Sequence, residues 1–130
     1  MTLDWIDSVK FDDKGLVPAV VQDEGDGTVL MVAYMNRKAL LETVERRRGV
    51  FFSRSRNKMW RKGDESGNRQ EVKSIALDCD RDCVLIRVRQ IGGAACHTGR
   101  KSCFFHHVTD KNALDIRGDI LFDPAKVYKK

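Results

Sequence analysis

No apolar run in this 130-residue chain approaches the ~20 residues that cross a bilayer. Its opening, MTLDWIDSVK, carries acids early and has no apolar stretch of the kind that starts a secretory signal. A cytoplasmic protein is expected. Internal repeats, low-complexity tracts and interdomain linkers are also missing, so residues 1–130 read as one domain, long enough to bury roughly two-thirds of its unfolded surface. There is no C-x-x-C pair to complete a familiar zinc finger.

Hydrophobic residues make up 42% and charged residues 33% of the chain, which describes a soluble globular protein. The formal net charge of +5 points to an anionic partner, either nucleic acid or a phosphorylated metabolite. In a reducing compartment, Cys79, Cys83, Cys96 and Cys103 are read as metal ligands, nucleophiles or buried small side chains rather than as disulfides.

The segment LVPAVVQDEGDGTVLMVAYMN reads as two strands joined by a turn at DEGDG. Asn36 then caps a helix from Arg37 to Arg48. Its apolar stripe is Ala39, Leu40, Val44 and, one step off, Leu41; Arg46, Arg47 and Arg48 stand in its last turn, and Gly49 closes it. VFFSRSR predicts a strand that turns polar, and NKMWRKGDESGNRQ a loop. EVKSIALDCD and CVLIRVRQI predict two more strands, and SCFFHHV a shorter one with one face buried, on which His106 and His107 are structural. The tail from Asp110 onward is weakly patterned and ends basic, as a packed extension or a partner-contacting arm. Strands with one clear helix make an α+β, strand-rich single domain.

Within DCDRD, Asp78, Asp80 and Asp82 alternate with Cys79. On an extended backbone the carboxylates share one face and Cys79 takes the other. Hard oxygens of this kind suit Mg²⁺ and a thiolate suits Zn²⁺, while a solvated acidic turn is the plain alternative. Cys83, at the start of an apolar strand, fits a small buried hydrophobe. In ACHTGRKSC the loop between Cys96 and Cys103 is long enough to return two thiolates to one ion. A third from Cys79 would leave a fourth position open for water, the catalytic pattern for zinc. His97, pointing away from its neighbour Cys96, is better placed to move a proton than to bind metal. A nucleophilic cysteine would leave the other thiols without a task.

The segment SRSRNKMWRKGDESGNRQ offers forked donors from Arg54 and Arg56, hydroxyls from Ser53 and Ser55, an ammonium from Lys62 and the ring of Trp60. This is a kit for a phosphate and a base. The bland reading is a basic loop that Trp60 anchors to the core.

Taken together, SRSRNKMWRKGDESGNRQ, DCDRD and ACHTGRKSCF, in this order, resemble the phosphoribosyl-AMP cyclohydrolase family, the enzymes of the third step of histidine biosynthesis. The resemblance runs from about Val32 to about Phe104. It implies a homodimer whose zinc sites take Cys79 from one chain and Cys96 with Cys103 from the other. It also implies magnesium on Asp78, Asp80 and Asp82, and a catalytic role for His97. The segment from Ser53 to Gln70 matches the substrate-binding part of the family, which brings Ser66 and Gln70 beside Ser53, Arg54, Ser55, Arg56, Trp60 and Lys62. Phe51 and Phe52 stand where the family often has an aromatic pair with tryptophan, and Cys83 is not a family requirement. The chain stops at Lys130, so a C-terminal pyrophosphohydrolase domain is not expected.

The reaction so implied is hydrolysis of the adenine N1–C6 bond of 1-(5-phosphoribosyl)-AMP by water that zinc activates. The partners expected are the phosphorylated nucleotide and a second copy of the chain, without membrane or nucleic acid. The alternative from another class is a small nucleic-acid-binding protein with a structural zinc on Cys79, Cys96, Cys103 and either Cys83 or His97. Against it, Asp78, Asp80 and Asp82 would repel a phosphate backbone.

Overall fold

The computed structural model describes residues 4–127. After a short turn of 3-10 helix, Asp4–Ser8, come β1 (Val17–Asp23), β2 (Val29–Met35), α1 (Arg37–Arg46), β3 (Val50–Ser53), β4 (Lys58–Arg61), β5 (Gln70–Leu77) and β6 (Val84–Gln90). A short hairpin of β7 (His106–Val108) and β8 (Leu114–Ile116) and a one-turn helix α2 (Pro124–Val127) follow. The fold is strand-rich with one clear helix, as the patterning predicts.

The first six strands form one sheet in the order β4-β3-β2-β1-β6-β5, with β1 and β6 parallel and the other pairs antiparallel. Alternation decides which face is dry: Val17, Ala19 and Val21 on β1 and Val84, Ile86 and Val88 on β6 are fully buried. Phe51, Leu30, Met35 and Leu40 fill the space above them. Each such apolar side chain contributes about 1.5–3 kcal/mol through burial. The turn at DEGDG joins β1 to β2 as read, with Gly27 at φ 80° and its N–H bonded to the Asp23 carbonyl at 3.0 Å. Among the described residues, no helix is long and apolar enough to cross a membrane.

Asn36 caps α1 by accepting from the Ala39 N–H at 2.8 Å. The helix ends earlier than the arginine run suggested. Arg47 itself takes the left-handed conformation, at φ 56°, and its N–H returns to the Thr43 carbonyl at 2.9 Å. Arg48 has already left the helix and bridges to Glu71. Gly49 is therefore not the helix stop. A Cβ there would fall 2.4 Å from Gln70 Oε1, so glycine lets the chain after α1 press against β5. The Arg48–Glu71 bridge, with the Gly49 N–H on the Gln70 carbonyl and the Val72 N–H on the Arg47 carbonyl, ties β5 to the start of β3 and curls the sheet.

Two further expectations are corrected. NKMWRKGDESGNRQ is not loop throughout, because Lys58–Arg61 pairs with β3. Phe51 lies opposite Trp60 there, with ring centroids 5.0 Å apart, and this aromatic pair outweighs the local turn chemistry. The polar RSRN stretch, residues 54–57, is the hairpin connection, with Asn57 at φ 52°. Likewise β7 has no buried face, since His106, His107 and Val108 are all exposed. The tail does pack in part: the Leu121 N–H donates to the Gly99 carbonyl at 2.7 Å. Its basic end, residues 128–130, lies outside the described residues.

Fully buried Thr43 joins α1 to β3, a link the apolar stripe did not reveal. Its hydroxyl bonds to the Ala39 carbonyl at 2.8 Å and accepts from the Val50 N–H at 3.1 Å. Thr43→Val keeps the shape and orphans that buried N–H, so urea unfolding should show a loss of about 1–3 kcal/mol. A loss within error would mean that the bond is replaceable.

Candidate active site

The turn between β5 and β6 is tighter than an extended reading of DCDRD allows. Arg81 is left-handed at φ 63°, its N–H bonds to the Asp78 carbonyl at 3.0 Å, and Asp78 Oδ1 accepts from the N–H groups of Asp82 (3.0 Å) and Cys83 (3.1 Å). Folding back, rather than alternation, brings Asp78, Asp80 and Asp82 together, with an oxygen of each within 4.8 Å of the others. All three are exposed. Hydrogen bonds with Asp80 and then Asp78 push the Asp82 carboxyl up to about 6. Desolvation is the largest single effect on Asp78 and acts upward, but hydrogen bonds from Asp82 and from the Asp82 and Cys83 amides together hold it below its usual range. Crowded carboxylates of this kind have the donor chemistry for a hard cation. Cys83, half-buried, has its thiol pushed up by burial and then by Asp78 and Asp82.

The second cluster is built after β6. The Cys96 N–H bonds to the Arg100 carbonyl and the Ala95 N–H to the Lys101 carbonyl, both at 3.0 Å, so CHTGRK closes on itself. The Cys103 N–H then bonds to the Leu30 carbonyl of β2 at 2.7 Å. Lys101 pairs with Asp26, and with Asp23 at 3.5 Å, while Ser102 Oγ donates to the Val29 carbonyl at 2.7 Å. These contacts seat the whole loop on the β1–β2 turn. Cys96 is buried, its neighbour His97 is exposed, and Thr98 Oγ1 donates to Cys96 Sγ at 3.0 Å.

The thiols of Cys96 and Cys103 lie close enough to act on each other. Burial, then the proximity of Cys96, pushes the Cys103 thiol up to about 12, with Lys62 acting the other way. Lys62 reaches this corner from the end of β4: its own N–H bonds to the Gly49 carbonyl at 2.9 Å and its Nζ donates to the Ala95 carbonyl. Burial holds its ammonium below the usual range, and Cys103 and Cys96 partly restore it. Two cysteine thiols set side by side are the donor set a soft divalent cation satisfies. Cys79 is elsewhere. Exposed in the turn before β6, it does not join the pair, and among the described residues the three aspartates form the only group of three close ligands.

The basic segment divides. Arg54, Ser55 and Arg56 are exposed on the β3–β4 turn, with the Arg54 guanidinium 4.0 Å above the Tyr34 ring and Ser53 Oγ accepting from the Arg56 N–H at 3.2 Å. Trp60 is half-buried on Phe51, and half-buried Ser66 accepts from the Asn68 N–H at 3.1 Å. Lys62 and Gln70 are buried. Gln70 donates to Gln90 Oε1 at 3.0 Å and leaves its own Oε1 without a partner, so it faces the core and not the exposed arginines. Sequence reasoning missed Thr98 and Tyr34. A hydroxyl two residues past a cysteine was the available hint for the first; nothing local marks the second.

An exposed imidazole next in sequence to one of two paired thiols, and arginine and hydroxyl donors exposed on the β3–β4 turn, are the residue types that a hydrolase of a phosphorylated nucleotide uses. Comparison with known proteins makes the class specific. The model of the phosphoribosyl-AMP cyclohydrolase family matches residues 31–105. The phosphoribosyl-AMP cyclohydrolase of Thiobacillus denitrificans is 53% identical over 98% of both chains. That of Chlorobium phaeovibrioides is 51% identical over 97% of this chain and 91% of its own. That of Nitrosomonas europaea is 47% identical over the full length of both. The chain belongs to the phosphoribosyl-AMP cyclohydrolase family, hydrolases of histidine biosynthesis. The nucleic-acid-binding alternative is not favoured.

Asp82 yields a pH prediction. Its folded-state value of about 6 exceeds the 3.8 of an unperturbed aspartate, so the folded chain holds this proton more tightly and its contribution to stability is lost as pH rises through about 6. Magnesium should therefore raise the melting temperature more at pH 7.5 than at pH 5, and Asp80→Asn should remove the difference. An equal shift at both pH values would separate the cation from the carboxylate turn.

Proposed function

We propose that the chain hydrolyses the N1–C6 bond of 1-(5-phosphoribosyl)-AMP as a homodimer. In it, Cys96 and Cys103 of one chain and Cys79 of a second copy hold zinc, and Asp78, Asp80 and Asp82 hold magnesium. The observation that carries this is the incomplete thiol pair: two cysteines close enough to act on each other, with the remaining family cysteine exposed in a turn that does not reach them. A second copy supplies what one chain lacks.

Zinc bound there supplies a Lewis acid that lets water ionise near neutral pH. N1 of the substrate is alkylated and so carries positive charge, which makes C6 electrophilic. His97 accepts one proton from the attacking water, whose oxygen bonds to C6. The tetrahedral carbon collapses: its hydroxyl proton leaves to solvent as the carbonyl forms, the C6–N1 pair returns to N1, and the proton held by His97 is delivered there. C6 keeps its exocyclic amine and ends as a carboxamide. Thiolates push charge onto their metal and make water near it less acidic than histidine ligands would, so a neighbouring base is more necessary here. Arg54 and Arg56, exposed on their turn, orient the phosphates together with the carboxylate-bound cation. Free cysteines suit a cytoplasmic enzyme.

The test is ring opening followed by ultraviolet absorbance on purified protein. Zinc chelation should abolish turnover, and magnesium added back after its own removal should restore the rate. Folded, zinc-loaded protein without turnover would sink the reading. His97→Ala should lower kcat by about 100-fold or more with zinc still bound. A near-normal kcat would remove His97 from proton transfer.

A further inference from the structure

Lys62 lies in the segment matched to substrate binding, yet it is only 9% exposed and its ammonium is spent inside the fold. Three features hold it there. Its backbone is fixed by the Gly49 carbonyl; Gly63 after it, at φ 92°, packs so tightly that a Cβ would lie 2.5 Å from the Arg69 nitrogen; and its Nζ is tied to the Ala95 carbonyl, one residue before Cys96. A lysine head is among the costliest groups to bury without a charge partner. Within the described residues no carboxylate bonds to it, and the groups that act on its charge are the thiols of Cys103 and Cys96.

We infer that Lys62 is the built-in counter-charge of the thiolate metal site and not a substrate contact. The inference rests on the zinc reading above. Charge counting explains the placement: a divalent ion with three thiolates leaves one net negative charge in a partly buried corner, and one ammonium cancels it. Before metal arrives, the same ammonium is bonded to the Ala95 carbonyl and to no carboxylate among the described residues. Lys62 therefore stabilises the loaded site at the expense of the empty one. It is a positioning residue, since it also fixes the carbonyl next to Cys96.

The experiment measures zinc affinity on the full-length protein by competition with a chromophoric chelator, alongside the melting temperature of the metal-free form. Lys62→Gln keeps a donor for the Ala95 carbonyl and removes the charge, whereas Lys62→Arg keeps the charge. The glutamine variant should bind zinc about 10-fold or more weakly, within the range usual for loss of a group that supports metal ligands. The arginine variant should recover most of that loss, and the metal-free glutamine variant should melt no lower than wild type. With cobalt in place of zinc, the thiolate-to-metal charge-transfer band should shift in the glutamine variant and return in the arginine variant. Unchanged zinc affinity in Lys62→Gln would overturn the inference while leaving the zinc reading intact. So would failure of the metal-free glutamine variant to fold, which would make Lys62 a structural anchor. A wild-type protein that binds no zinc would overturn the zinc reading itself.

Discussion

Charge inside a small fold is the constraint on which the rest depends. Lys62, Cys96 and Cys103 occupy one corner of the molecule, and two of them ionise with difficulty there: burial lowers the lysine and raises Cys103 to about 12. Hydrophobic packing alone would not gather such groups, because an apolar corner of the same volume costs nothing to desolvate. Their meeting is forced by backbone that leaves them no alternative. The Cys103 N–H is bonded to β2, the Lys62 N–H to Gly49, and Ala95, next to Cys96, lies in the main core.

The curl of the sheet makes that meeting possible. A flat sheet of this strand order would leave β4 and β5 at opposite edges, with Lys62 far from the loop after β6. The contacts of residues 47–49 with β5 close that gap, and Gly49 is small enough for the strands to approach. The glycine read as a helix stop thus serves the site at one remove. Its neighbour Arg47 takes over the helix end, at the cost of a left-handed arginine that glycine would have accepted more readily.

Much of this was legible in the sequence, and the pattern of successes has a physical basis. Strands β1 and β6 alternate with period two, β2 and β5 are rich in apolar and β-branched residues beside clear turns, and α1 begins at a good cap, so each could be read from residues a few positions apart. The β4 strand could not, because what makes it a strand is Trp60 packing on Phe51 across the hairpin. At the site, residue types were readable and their company was not. The aspartates were read as a cluster for the wrong reason, since a turn brings them together where alternation was expected. Lys62 was read as a surface donor because buried lysine is rare, and its neighbours come from 33 and 41 positions away.

Separation of the two metal-ligand candidates within one chain has a consequence for how the site can be assembled. If Cys79 joined Cys96 and Cys103 in the monomer, the three carboxylates beside it would enter the same corner, and four or more negative groups would face a single ammonium. Keeping the acidic turn before β6 and the thiol pair after it lets each chain fold with its negative charge divided. The acidic turn stays exposed, and the thiol pair lies apart from it, with burial holding the Cys103 thiol up. In the proposed dimer, bringing the halves together only between copies would defer the electrostatic cost until cations are there to offset it. A chain built this way would fold first and complete its site afterwards, the order that the proposed two-metal, two-subunit reaction calls for.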